Sequence, residues 1–178
     1  MTLPSLPSFL ARGLLCLGLA LPALSAGAVD IPPTLDKQEQ AFVAKATADN
    51  SMQIELAKVA GERSTSPQVR ELARRIIDDH KALNRKFTAF SVARKAHGQA
   101  HGLPSKDVTE DKLRLQRLQG AALDQAFAGM MVAEHQKIIP LYEQAAKDSQ
   151  DAKLRQLAKE GLPLLREHLR RAQAITAK

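Results

Sequence analysis

Tryptophan is absent from this chain of 178 residues, and tyrosine occurs once, at Tyr142. So few rings leave little on which nucleic-acid bases could stack. The 26 lysines and arginines are scattered along polar segments with no block of one sign, so no nucleic-acid partner is expected. Cysteine occurs once, at Cys16. Also missing are alternating β-branched runs of strand length, a glycine-rich phosphate loop, an HExxH pair and a serine in a nucleophile-elbow pattern, which removes support for hydrolytic catalysis. An apolar run long enough to cross a bilayer, about 20 residues, is lacking as well.

The longest apolar run is Gly13 to Leu24, twelve residues behind Arg12, followed by the small residues Ala26-Gly27-Ala28. That is the order of a secretory signal peptide, with cleavage expected after Ala28. Leu15 stands where a lipoprotein signal needs a small residue before Cys16. The expected organisation is a signal peptide over 1–28, a linker over 29–34 and one domain over 35–177, exported to the periplasm or cell envelope. Cleavage removes the lone cysteine, so the mature chain has no disulfide, thiol nucleophile or thiolate ligand and is held by packing alone. Loss of Arg12 lowers the formal charge from +7 to +6. That basicity is compatible with weak association with an anionic envelope surface, and a solvated surface rich in lysine accounts for it more simply. The sequence names no protein partner.

What the chain does have is helical period almost throughout. The first helix is expected from Leu35 to about Arg63, with Phe42, Ala46, Ala57 and Ala60 on one face, and that stripe also carries Asp49, Asn50 and Gln53. Ser66 as N-cap and Pro67 at the first helical position open a second helix, running to about Ala96. It has Val69, Ala73, Ile76, His80, Leu83, Phe87 and Phe90 in line. Gly98, Gly102 and Pro104 break the pattern, and a short helical piece covers Glu110 to Gln119. The third long helix, Ala121 to about Lys147, aligns Phe127, Met131, His135, Ile138 and Tyr142, with a kink expected at Pro140. The fourth, Ala152 to Ala177, aligns Leu154, Ala158, Leu165, His168, Ala172 and Ile175, with a bend at Pro163. This pattern predicts an all-α, up-down-up-down four-helix bundle with a short extra helix between helices 2 and 3.

Three acid-histidine pairs, Asp79-His80, Glu134-His135 and Glu167-His168, fall in three of these helices, each histidine on or beside the apolar stripe. With a rise of about 1.5 Å per residue, His80 lies roughly 21 Å below the turn at Ser66, His135 about 20 Å below that at Asp148, and His168 about 25 Å below Asp151. Asp49 reaches the same level, about 21 Å before Arg63, and Gln53 sits one turn higher. One layer of the core thus receives three imidazoles, with Asp49, Gln53 or water to complete a site of the kind zinc, copper or iron accepts. Adjacent residues point about 100° apart on a helix, so the acids flank the stripes. Asp79 and Glu134 are placed to orient an imidazole of a neighbouring helix, whereas Glu167 reads as a surface charge. His97 and His101 lie between glycines in AHGQAHG and read as a solvated loop. Met52, Met130 and Met131 read as packing.

From about Gln40 to Ala172 the chain resembles the exported bacterial proteins grouped as domain-of-unknown-function family 4142. The residues that carry the resemblance are Phe42-Val43, Ala46, Glu55-Leu56, Ala60, Pro67, Val69, Asp79-His80, Asn84, Asp124, His135, Leu162-Pro163 and His168-Leu169. It implies a signal peptide, an envelope location and a ferritin-like four-helix fold, and it brings no established activity. The family often has an acid where this chain has Gln53. Ferritin-like di-iron enzymes place a glutamate three residues before a histidine on each of two helices, whereas Ile77, Val132 and Leu165 stand at those places here, so no di-iron centre is expected. Two readings remain: a single transition-metal ion held by the histidine layer in an envelope or stress-protection role, or a non-enzymatic structural or interaction bundle whose histidines form a buried hydrogen-bond network.

Overall fold

The computed structural model describes residues 34–94 and 106–177, with side chains along the short central helix described from residue 109. His97, His101 and the whole leader lie outside the described residues. All described regular structure is helical: α1 Lys37–Arg63, α2 Pro67–Ala93, α3 Lys106–Arg117, α4 Gly120–Asp148 and α5 Ala152–Thr176. Among the described residues no helix is long and apolar enough to cross a membrane.

Local chemistry sets the ends. Asp36 and Glu39 form a capping box: Asp36 Oδ1 accepts from the Glu39 backbone N–H at 2.8 Å, and Glu39 accepts from that of Asp36 at 3.0 Å. This starts α1 two residues later than the periodicity suggested, because the box fixes Asp36 outside the helix. Ser66 caps α2 with Pro67 behind it, as its sequence predicts. Asp151 caps α5 by accepting from the N–H groups of Lys153 and Leu154. α4 and α5 run through Pro140 and Pro163 without ending. The carbonyls each proline leaves without a helical partner belong to Gln136 and Lys159, both exposed, where water can serve them.

α1 packs on α2 and α4, and α5 packs on α2 and α4, while α3 lies against α1 and touches α4. The α3 contact is anchored by fully buried Leu115 and by Lys112, whose Nζ lies 2.8 Å from Glu55 Oε2. Side chains lock both ends. Glu39 Oε1 accepts from Ser149 Oγ at 2.5 Å and from the Asp151 N–H at 3.0 Å, and Asp151 pairs with Arg94 at 2.5 Å. At the other end Ser64 Oγ donates to Asp124 at 2.5 Å.

The core is divided in two. One apolar cluster gathers Leu56, Ile76, Leu123, Phe127, Met131, Ala172 and their neighbours. A second gathers Phe42, Ala46, Phe87, Ile138, Tyr142, Leu165 and theirs. Between the two clusters every long helix contributes buried polar residues, Asp49, Asn50 and Gln53 on α1, His80 on α2, His135 on α4 and His168 on α5, with apolar Ile54 and Leu83 beside them on α1 and α2. The polar layer is thus sandwiched between apolar halves, which keeps bulk water from it. Met131 is fully buried and Met52 and Met130 pack beside the first cluster, as expected of packing residues.

Candidate metal centre

His80, His135 and His168 are each completely buried, and one ring nitrogen from each lies within 4.8 Å of the other two. Their ring centroids are 5.2 to 5.9 Å apart. Hydrogen bonding decides which nitrogen carries a proton. Ser51 Oγ donates to the Thr47 carbonyl and accepts from Asn84 Nδ2 at 3.2 Å. That turns Asn84 Oδ1 toward Asn50 Nδ2 at 2.9 Å, and Asn50 Oδ1 toward His80 Nδ1 at 2.7 Å. An oxygen that only accepts requires His80 Nδ1 to donate, leaving a lone pair on Nε2. His135 Nδ1 donates to the Met131 carbonyl at 2.8 Å, leaving a lone pair on its Nε2. His168 Nε2 donates to the Asp79 carboxylate at 2.9 Å, leaving a lone pair on its Nδ1.

The nitrogens of His135 and His168 that face each other, Nε2 and Nδ1, are 3.2 Å apart. If both rings are neutral, two lone pairs meet there, and the arrangement asks for a cation between them: a proton or a metal ion. His80 Nε2 is buried with no hydrogen-bond partner among the described residues. Burial, reinforced by the two neighbouring imidazoles, holds His80 well below the usual histidine range. Burial and then His168 bring His135 down to about 4. Burial also lowers His168, against the opposing pull of Asp79 and with Arg75 adding to the lowering. At neutral pH the rings are therefore neutral, the form that ligates metal.

The sign of the pH dependence follows. In the unfolded chain these histidines take up protons below about 6.5, while the folded ones resist until about pH 4 in the case of His135. The unfolded state then binds more protons, so stability is full above about pH 6.5 and falls as pH drops toward 4. Urea unfolding of the metal-free protein at pH 7.5, 6 and 5 should show that descent. Equal stability at pH 7.5 and 5 would contradict the neutral-histidine layer.

Of the residues expected in the site, the structure brings the three histidines together. Asp49 stands outside that group: its carboxylate binds Lys45 Nζ at 2.7 Å, and burial raises it above the usual range despite that lysine. Its neighbour Asn50 hydrogen-bonds His80 from α1. Gln53 is fully buried, and neither amide atom has a hydrogen-bond partner among the described residues. Asp79 orients His168 across helices, the role its flanking position suggested, and at a quarter exposed it is where the site approaches solvent. Glu134 binds Lys137, and Glu167 binds Arg170 and Arg171. Sequence reasoning missed Asn50 and Asn84 as the relay that fixes His80.

With the histidine layer so placed, comparison with known proteins gives a family. The family model "Domain of unknown function (DUF4142)" matches residues 24–175. The chain belongs to the DUF4142 family. This DUF4142 protein is also similar to a solved structure described as "Crystal structure of DUF305 fragment from Deinococcus radiodurans". The likeness covers 82% of this chain and 99% of that one, with a TM-score of 0.72 and 18% identity. That is a likeness of fold. No curated protein matches this DUF4142 sequence.

Proposed function

We propose that this DUF4142 protein holds a single transition-metal ion, zinc, copper or iron, through His80 Nε2, His135 Nε2 and His168 Nδ1, in an exported four-helix protein of the cell envelope. The observation that carries the reading is the set of acceptors behind the three rings. Asn50 Oδ1, the Met131 carbonyl and Asp79 each take the outward N–H, so all three inward nitrogens carry lone pairs. Metal-ligating histidines have this support as a rule. A tetrahedral ion with bonds of about 2.0–2.1 Å holds its nitrogens about 3.4 Å apart. His135 and His168 already meet that spacing at 3.2 Å, and the His80 nitrogen, within 4.8 Å of the others, would close by up to about 1.4 Å to reach it.

α2 and α4 both run from the end marked by Ser64 and Asp124 to the end marked by Arg94 and Ser149, so the four long helices run up-down-down-up, where the sequence suggested up-down-up-down. That order, with one long crossover between α2 and α4, supports a ferritin-like bundle, in which the layer lies at mid-height and α3 covers part of one side. The apolar run before Ala26-Gly27-Ala28 supports export through a cleaved signal peptide, and a metal-holding or stress-protection role in the envelope suits that compartment. A second reading keeps the same atoms as a proton-bridged network, Met131 to His135 to His168 to Asp79, and the 3.2 Å contact favours it. It leaves His80 Nε2 and both ends of Gln53 without partners, a set of buried orphans that folded proteins rarely keep.

The test is elemental analysis of untagged protein purified from its own compartment and reconstituted with zinc, copper or iron in turn. About one ion per chain is expected for at least one metal, and none for the His80→Ala, His135→Ala, His168→Ala triple variant. Equal metal in the two proteins would end the proposal.

A further inference from the structure

Gln53 is completely buried, and neither its Oε1 nor its Nε2 has a hydrogen-bond partner among the described residues. It follows Asn50 by three residues on the same inward face of α1, and Asn50 is the residue that holds His80. His80 Nε2, the inward nitrogen, is also without a partner. A leucine would fill the same space without stranding two polar atoms, so the amide sits there at a cost. Direct ligation through Oε1 satisfies one end and leaves the NH₂ group stranded. A small oxygen ligand that accepts from Nε2 and presents a proton to Oε1 satisfies both.

The structure assigns to Gln53 the holding of an exchangeable small oxygen ligand, of the water or peroxide class, at the fourth position of the three-histidine centre. This inference rests on the metal-centre reading. It makes the centre an open one, of the kind that binds and turns over small molecules, where a structural zinc site has four protein ligands. Gln53 is then a positioning residue: it directs the ligand, and the histidines hold the ion.

The experiment uses the mature protein loaded with Co(II), titrated with azide and followed by visible absorption. The native protein should take up one Co(II) per chain, and its bands should shift on saturation with azide. Gln53→Leu and Gln53→Met should still take up Co(II) but bind azide about tenfold more weakly, the loss of one hydrogen bond to a charged ligand. Both variants remove stranded polar atoms, so both should melt no lower than the native protein. A native spectrum indifferent to azide would overturn the inference, as would azide affinities unchanged in both variants. Loss of Co(II) from both variants would make Gln53 a direct ligand and overturn it too. Failure of the native protein to take up Co(II) would remove the metal centre itself, a separate result read before any azide is added.

Discussion

Zinc at a hundredfold excess over its dissociation constant is expected to raise the melting temperature of the mature protein by about 5–10 °C, and to leave the His80→Ala, His135→Ala, His168→Ala variant where it was. Binding to the native state alone stabilises by about 2.7 kcal/mol at that excess, and each kcal/mol moves the midpoint of a chain this size by about 2–4 °C. The alanines lower the baseline by opening space in the core, so the quantity to compare is the increment zinc adds. A proton-bridged network predicts no increment in either protein. The competing readings therefore differ by several degrees in one measurement. The increment should also survive at pH 6. A surface histidine site loses zinc below its ordinary titration near 6.5, but burial has already stripped these rings of their protons, and His135 holds out to about 4. An increment that vanishes between pH 7.5 and 6 would show that the ligands are exposed imidazoles, in conflict with three rings buried to 0%.

The histidine layer was legible because helical period and rise are both regular. Spacings of three and four put His80, His135 and His168 on apolar stripes. Counting from the turns assumed that those at Ser66 and Asp148 share one end; the structure puts them at opposite ends, and the histidines still meet because each lies near the middle of its helix. On α1 the same arithmetic put Asp49 at the level of the histidines and Gln53 one turn higher, and did not single out Asn50, which bonds His80. Height along a helix changes by only about 1.5 Å between neighbours while direction changes by about 100°, so Asp49 and Asn50 share a level and face different ways. The more ionic residue took Lys45, and the neutral amide reached the site. A neutral amide suits that place, since a second buried carboxylate would carry a desolvation cost that Lys45 relieves only on the other face. The tautomer of His80 was not legible. It depends on a relay through Ser51, Asn84 and Asn50 whose two asparagines lie 34 residues apart, and nothing in the sequence says which way an amide points. The capping box at Asp36 and Glu39 was written in the sequence as an acid followed three residues later by a glutamate. The apolar stripe masked it, because Leu35 has the right period and packs in the core from outside the helix.

Alanine at Gly161 tests how rigidly α4 and α5 hold the layer. Helix propensity alone says that Gly→Ala inside a helix stabilises by about 1 kcal/mol. At Gly129 on α4, which is exposed and has nothing within 4 Å of a built Cβ, that gain should be realised. At Gly161 on α5 a Cβ would lie 2.5 Å from Cε1 and 3.0 Å from Cδ1 of Tyr142. Tyr142 cannot retreat: it is fully buried and set edge-on to Phe42 at 5.0 Å and Phe87 at 6.2 Å. Overpacking of this kind costs about 1–3 kcal/mol and sometimes more, which outweighs propensity. Gly161→Ala, at a net cost of about 1–2 kcal/mol, is therefore expected to lower the melting temperature by about 2–8 °C, while Gly129→Ala raises it slightly. A Gly161→Ala midpoint at or above the native one would refute the close approach. The consequence reaches the site, because Gly161 lies seven residues before His168 and Tyr142 seven after His135, two turns in each helix. If α5 moves off α4 to admit the methyl, the 3.2 Å separation of His135 and His168 widens, and metal affinity falls together with stability. Tyr142→Leu combined with Gly161→Ala should recover part of both, with a coupling of about 1 kcal/mol or more between the two positions. Strict additivity of the two substitutions would mean that the helices are not held apart by this contact and that the histidines are set by some other constraint.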